Sequence, residues 1–326
     1  MTKIVIDTKG SDKGSETVIK GAVAALAFHE ELSVLLVGNE GEIIELCQEL
    51  GAPMDRIEIL DAPGEITNYD SPAAALFTKT DSSLVRALEI LKERDDLSGL
   101  ITAGNTGALI AGAVKYLPCE SRVRPALAAI LPASDGSFTC LVDTGATIDC
   151  PASTLVHFAH LGRDFMREMY GIDNPRIALL SNGAEPTKGN KVVKEAHAML
   201  ALDTSLNFVG NVEGSNALSG TCDVLVCDGF AGNQVLKVTE GTATRIITDI
   251  VKFAKRTGNV TIMELVGHLM GVYDISSLGG GIVLGAAKPL IKARGSSDEK
   301  AIVNISKMLI NMAENKAVFD KTKNKI

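Results

Sequence analysis

No tryptophan occurs among the 326 residues, and tyrosine and phenylalanine raise the aromatic share to only 4%. Large aromatic anchors are scarce, so the 46% hydrophobic fraction has to be built from Val, Ile, Leu and Ala. With 31 Gly against 10 Pro, this composition fits helices packed on a sheet through tight turns better than a β-sandwich. No apolar run approaches the roughly 18 residues that cross a bilayer, and Asp7 falls where a secretion signal would carry its apolar stretch. A cytoplasmic location is the expectation. The six Cys include no CxxC and no Cys/His spacing suited to zinc, so neither a metal site nor a redox dithiol is expected. The thiols read as reduced and mostly core. Also missing are the P-loop pattern GxxxxGK[ST], the dinucleotide fingerprint GxGxxG and the nucleophile elbow GxSxG. ATP or nicotinamide binding and Ser-His-Asp hydrolysis lose their usual support, and no cofactor is expected.

What is present is uneven in charge. Residues 251–326 hold 12 Lys plus Arg against 6 Asp plus Glu, while the first 250 hold 20 against 34, which together make the net −8. A basic end on an acidic body suggests an anionic partner. Lys316, Lys321, Lys323 and Lys325 also fit a solvated tail. Nucleic acid is not expected as a partner, because the charge is not clustered on a basic domain.

Short β-branched runs alternate with helical stretches, the pattern of an α/β protein whose mainly parallel sheet is covered by helices on both faces. Strands are expected at 3–7, 33–38, 57–61, 99–103, 125–131, 138–143, 176–181, 206–210 and 223–227. Helices are expected at 17–28, 41–50, 82–94, 106–116, 153–169, 188–202, 234–254 and 300–313. Without repeats or linkers, a single three-layer α/β/α domain over residues 1–326 is the simplest reading, with a protruding helical insertion at about 254–285.

Many strands end in small polar or acidic turns, among them Asp7 before Gly10, Gly104-Asn105, Asp143-Thr144-Gly145, Asn182-Gly183, Gly210-Asn211 and Asp228-Gly229. In a doubly wound sheet the carboxyl ends of the strands share one edge, where ligands bind. Gly104-Asn105-Thr106-Gly107, between a strand and a helix, offers main-chain N–H groups at a helix N-terminus, a ready anion site. An ordinary strand-to-helix turn uses the same residues for a cap. Lys188, flanked by Gly189 and Asn190 before a helix, can set an ammonium beside an anion held there, or lie solvated. Asp228 leads a similar turn that runs to Asn233, and by itself also suits an Asx-turn. Arg124, held extended by Pro125, carries a fork suited to phosphate or carboxylate.

The order DSP, Lys79, DSS, AGNTGA, RPAL, DTGA, NGAEPTKGN, NFVGNVEG, DVLVCDGFAGNQVLK and GSS resembles the PlsX-type phosphate acyltransferases of bacterial phospholipid synthesis over essentially the whole chain. The resemblance implies a homodimer with the isocitrate/isopropylmalate dehydrogenase-like fold shared with phosphotransacetylase. It implies a reaction in which acyl-[acyl carrier protein] and inorganic phosphate give acyl phosphate and free carrier protein. Three segments depart from the family pattern. DAMGGD is replaced by Asp7-Thr8-Lys9-Gly10-Ser11-Asp12, DxGAN ends here in Thr147, and HGSS begins here with Arg294. Lys9 and Arg294 add cations expected among the substrate-binding residues.

Phosphate is already a nucleophile near neutral pH, so such an enzyme has to hold it against the thioester and stabilise the oxyanion that forms. On this resemblance Gly104, Asn105, Thr106, Gly107, Lys188 and Asn190 are assigned to phosphate. Arg124 and Asn233 are assigned to phosphate or oxyanion, and Asp228 to orienting these donors. The resemblance also places residues 245–281 at a dimer tip near membrane and carrier protein. There Lys252, Lys255 and Arg256 precede an apolar stripe of Val260, Ile262, Leu265, Val266, Leu269 and Met270. Peripheral membrane contact and a buried interface are both compatible with that stripe. A short-chain acyl-CoA phosphotransacetylase and a non-catalytic anion or acyl-phosphate binder are the alternative functions.

Overall fold

The apolar runs form parallel strands where helices cover both of their faces, and β2 (Leu32–Gly38), buried at all seven positions, shows this most fully. The computed structural model describes residues 2–119, 124–273 and 280–315. The chain divides into two compact units, one of Met1–Leu127, Glu168–Gly171 and Gly279–Ile326, the other of Ala128–Arg167 and Ile172–Leu278.

In the first unit, β1 (Thr2–Asp7), β2 (Leu32–Gly38), β3 (Ile57–Asp61) and β4 (Leu97–Thr102) are parallel. Strand β11 (Leu290–Lys292) joins β4 in parallel and pairs antiparallel with β10 (Gly281–Leu284), giving the order β3-β2-β1-β4-β11-β10. Helices α1 (Gly14–Phe28), α2 (Glu40–Glu49) and α10 (Glu299–Glu314) form one packed group. Helices α3 (Pro72–Thr78), α4 (Ser83–Glu93) and α5 (Thr106–Tyr116) form another. On α4 the buried Leu84, Val85, Ala87, Leu88 and Leu91 recur at helical spacing, which fixes its inward face.

In the second unit β5 (Ala126–Pro132) runs antiparallel to β6 (Phe138–Val142). Strands β6, β9 (Val224–Val226), β7 (Arg176–Ser181) and β8 (Asn207–Glu213) are parallel, in the order β5-β6-β9-β7-β8. The helices are α6 (Ala152–Tyr170), α7 (Lys191–Leu202), α8 (Gly229–Thr257) and α9 (Val260–Tyr273). Phe158 and Phe165 of α6 are fully buried.

Three expectations are corrected. Helix α7 begins at Lys191, not 188, because Asn190 caps it by accepting from Val193 N at 2.9 Å. Helix α8 begins at Gly229, not 234, because Asp228 accepts from Ala231 N at 2.7 Å and so starts the helix. Gly210-Asn211 lies inside β8 rather than after it, since the strand absorbs one extra residue opposite Ile177 and Ala178, with Gly210 at φ +101°. The segment at about 254–285 comprises the end of α8, α9 and β10, with residues 274–279 outside the described ones. The α9 stripe divides: Val266 is buried and Ile262 and Leu269 half-buried, whereas Val260, Leu265 and Met270 are exposed.

Candidate functional site

At the carboxyl edge of the first unit's sheet, the turn after β1 meets the turn after β4. A Cβ on Gly10 would come within 2.4 Å of Gly104 Cα, so the two main chains touch where only glycine fits. Beneath them Asp7 is buried, and its carboxyl group accepts from Thr102 Oγ1 at 2.7 Å and from Lys9 N at 3.1 Å. Burial raises its pKa, and the hydroxyl of Ser83 works against that rise. Gly104 N donates to Thr102 Oγ1 at 3.0 Å. Asn105 caps α5 by accepting from Ala108 N at 2.9 Å, and its amide donates to Thr67 O at 3.0 Å. The main-chain N–H groups of Thr106 and Gly107, the first two helical positions, have no intrahelical acceptor and point out of the helix end. The turn thus offers an anion its backbone, while the Asn105 side chain shapes the turn.

A polar loop supports this edge. Asp70 accepts from Thr67 N at 2.7 Å, Thr67 Oγ1 at 2.8 Å and Lys79 Nζ at 2.8 Å, and Lys79 leads the contacts that bring its pKa down to about 2. The DSP and Lys79 motifs therefore hold the Thr67 carbonyl to which Asn105 donates.

In the second unit three turns stand side by side at the carboxyl ends of β6, β9 and β7. The buried Asp143 accepts from Gly145 N at 3.1 Å, Ala146 N at 3.0 Å and Thr147 N at 2.6 Å, which winds the DTGA turn around one carboxylate. Helix α8 starts against that turn: Gly229 N donates to Thr147 O at 2.8 Å, and a Cβ on Gly232 would lie 1.9 Å from Asp143 O. Beside it, Asn182 Oδ1 accepts from Gly189 N at 2.8 Å and Asn211 Nδ2 donates to Glu185 O at 2.9 Å. These two amides pin the loop that carries Lys188 and Asn190. Lys188 is exposed, its stem lying over Gly183.

The structure redistributes several expected roles. Lys9 is not a spare cation: its Nζ pairs with Glu42 Oε2 at 2.8 Å and donates to Ser15 Oγ at 3.2 Å. Asn233 donates through Nδ2 to Thr144 O at 3.1 Å, so its amide also braces the DTGA turn. Lys188, expected at a helix start, stands three residues before α7. Arg294 is half-buried beside Gly295, whose carbonyl accepts from Asp12 N at 2.9 Å. Arg124 is exposed before β5, and Arg122 lies outside the described residues. Sequence reasoning missed Lys292, which ends β11 and donates to Ala103 O at 3.0 Å. Its signal was weak, a single Lys in a short apolar run. Among the described residues, no three His, Cys, Asp or Glu side chains group as a metal ion requires. All six thiols are buried, and burial pushes Cys140 and Cys222 up to about 12.

The family described as "Fatty acid synthesis protein" matches residues 2–318. The phosphate acyltransferase of Clostridium novyi is 37% identical over 330 residues, covering 99% of this chain and 98% of its own. That of Halothermothrix orenii is 40% identical over 314 residues, covering 94% and 93%. The chain belongs to the phosphate acyltransferase family. Among solved structures, a phosphotransacetylase from Streptococcus pyogenes aligns with TM-score 0.64 at 17% identity, covering 97% of this chain and 94% of that one. A branched-chain phosphotransacylase from Enterococcus faecalis aligns with TM-score 0.57 at 16% identity, covering 94% and 98%. These two likenesses establish the fold, the α/β architecture with a mixed, mainly parallel sheet that the strand pattern led us to expect.

Proposed function

We propose that this protein transfers a fatty acyl group from acyl-[acyl carrier protein] to inorganic phosphate, releasing acyl phosphate and the free carrier thiol. Near-full-length kinship to phosphate acyltransferases carries the reading. The geometry is compatible with it in two respects. The N-terminus of α5 presents backbone donors for an anion. The six cysteines, buried with Cys47, Cys140, Cys222 and Cys227 driven upward in pKa, are unsuited to carry the acyl group. Direct attack of phosphate on the thioester carbonyl then forms the C–O bond as the C–S bond breaks. The Thr106–Gly107 backbone and the Lys188 loop are each assigned to an anionic group of the reactants. Asp228 and Asn233 hold the second unit's turns in shape.

The test is thiol release from long-chain acyl carrier protein with and without phosphate. Because the protein's own thiols are buried, a thiol reagent reads the carrier. Release is expected only with phosphate and faster than from acetyl-CoA. Release that ignores phosphate refutes the reading, and preference for acetyl-CoA moves it to a phosphotransacetylase. Phosphate binding with no turnover moves it to a non-catalytic binder.

Partners belong to the same proposal. Lys252, Lys255 and Arg256 are exposed at the end of α8, and Val260, Leu265 and Met270 are exposed on α9. We assign the basic group to the acidic carrier protein and the apolar group to peripheral membrane contact or the face of a homodimer. Leu265→Ser with Met270→Ser separates the last two: loss of vesicle binding by an intact dimer supports the membrane, and loss of the dimer supports the interface.

A further inference from the structure

We infer that Lys292 is a positioning residue of the anion-binding turn, an inference that rests on the proposed use of phosphate. Its Nζ donates to Ala103 O at 3.0 Å and to Ala293 O, the carbonyls just beyond the ends of β4 and β11. The peptide plane joining Ala103 to Gly104 is thereby clamped at both ends. Its carbonyl accepts from the Lys292 ammonium, and its N–H donates to Thr102 Oγ1 at 3.0 Å, a hydroxyl that donates in turn to the buried Asp7. One further peptide unit, Gly104 to Asn105, links that plane to Asn105, whose cap sets the direction of the Thr106 and Gly107 N–H groups. A flip of the plane would turn a carbonyl toward the place where the family motif offers donors. Gly10, in contact with Gly104, leaves the main chain no other room to settle.

The same lysine supplies charge. Carbonyl oxygens accept from two of the three ammonium donors. Positive charge fixed beside a helix N-terminus favours a dianion over a monoanion, because both act through the same partly screened field.

The experiment compares Lys292→Met, which keeps the stem and removes the charge, with Lys292→Arg, in the full-length protein. Steady-state thiol release gives KM for phosphate and for the acyl donor separately, and thermal unfolding is followed with and without phosphate. Loss of a charge-assisted hydrogen bond and of the local field is expected to raise the phosphate KM of Lys292→Met about 10- to 100-fold. The acyl-donor KM should stay within about twofold, and the thermal shift produced by phosphate should shrink. Lys292→Arg should recover part of the loss. A Lys292→Met protein with lowered thermal stability but wild-type phosphate KM overturns the inference, and so does equal damage to both KM values. If wild-type thiol release itself ignores phosphate, the proposed function fails, a result distinct from either of these.

Discussion

Replacing Asn105 tests the anion turn most sharply, because one side chain makes two separable contributions. Its Oδ1 caps α5 at 2.9 Å and its amide holds Thr67 O at 3.0 Å. Asn105→Ala removes both. Loss of the cap costs about 1 kcal/mol and loss of the neutral hydrogen bond about 1 kcal/mol more. For a unit of this size the sum corresponds to a fall of roughly 4–8 °C in Tm. Asn105→Asp keeps an acceptor for Ala108 N and loses only the bond to Thr67, so its Tm should fall about half as far. It also sets a carboxylate beside the N–H groups of Thr106 and Gly107. A unit charge about 6 Å from another costs about 3 kcal/mol at an effective dielectric of about 20, so phosphate affinity should drop on the order of 100-fold. The two variants therefore rank in opposite orders. Alanine is worse in thermal unfolding, and aspartate is worse in phosphate KM. An Asn105→Asp protein with wild-type phosphate KM would show that no anion binds at this turn and leave Asn105 as a helix cap alone.

Lys188→Ala should raise the phosphate KM and leave Tm nearly unchanged, since an exposed cation contributes little to folding; unchanged kinetics would make Lys188 a solvated surface residue. Gly232→Ala should lower the denaturation midpoint severely, because its Cβ would lie 1.9 Å from Asp143 O and main chain would have to move. Gly241→Ala on the same helix meets nothing within 4 Å and should stabilise by about 0.5–1 kcal/mol in the same measurement. Burial lowers the His157 imidazole from 6.5 to about 4 in the folded protein. The unfolded chain therefore binds the extra proton first as pH falls, and stability is lost between about 6.5 and about 4. His157→Gln should flatten that part of the urea-midpoint profile, and an unaltered slope would place the acid sensitivity elsewhere.

Local chemistry was legible wherever a residue acts on its near neighbours in sequence. The runs at β1, β3 and β7, the small-residue helix α5 and the acid or amide opening each turn are read from adjacent positions, because strand pleat, helical period and capping extend over a few residues only. The family too is carried by such short ordered motifs, and the near-full-length match agrees with them. Side-chain roles at the turns were less legible. Nothing near Lys9 in sequence announces Glu42, thirty-three residues away, and nothing near Asn233 announces the Thr144 carbonyl, eighty-nine away. The start of α8 is expected five residues late and that of α7 three residues early, where Asp228 and Asn190 bind the backbone three residues ahead, since a turn motif and a cap use the same residue types.

The sequence by itself determined the alternation of strands and helices, the strand-end turns and the family, all properties of short range. The tertiary structure alone decided which polar groups remain for a ligand. Parallel pairing of β11 with β4 carries Lys292 to the Ala103 carbonyl across 189 positions of chain. Packing of α8 on the DTGA turn brings the Asn233 amide to the Thr144 carbonyl across 89 positions. A buried donor or acceptor left without a partner costs about as much as several surface contacts return, so the fold claims its polar side chains first. What it leaves for chemistry is backbone at a helix end and a few cations at the sheet edge, held there by contacts between residues far apart in the chain.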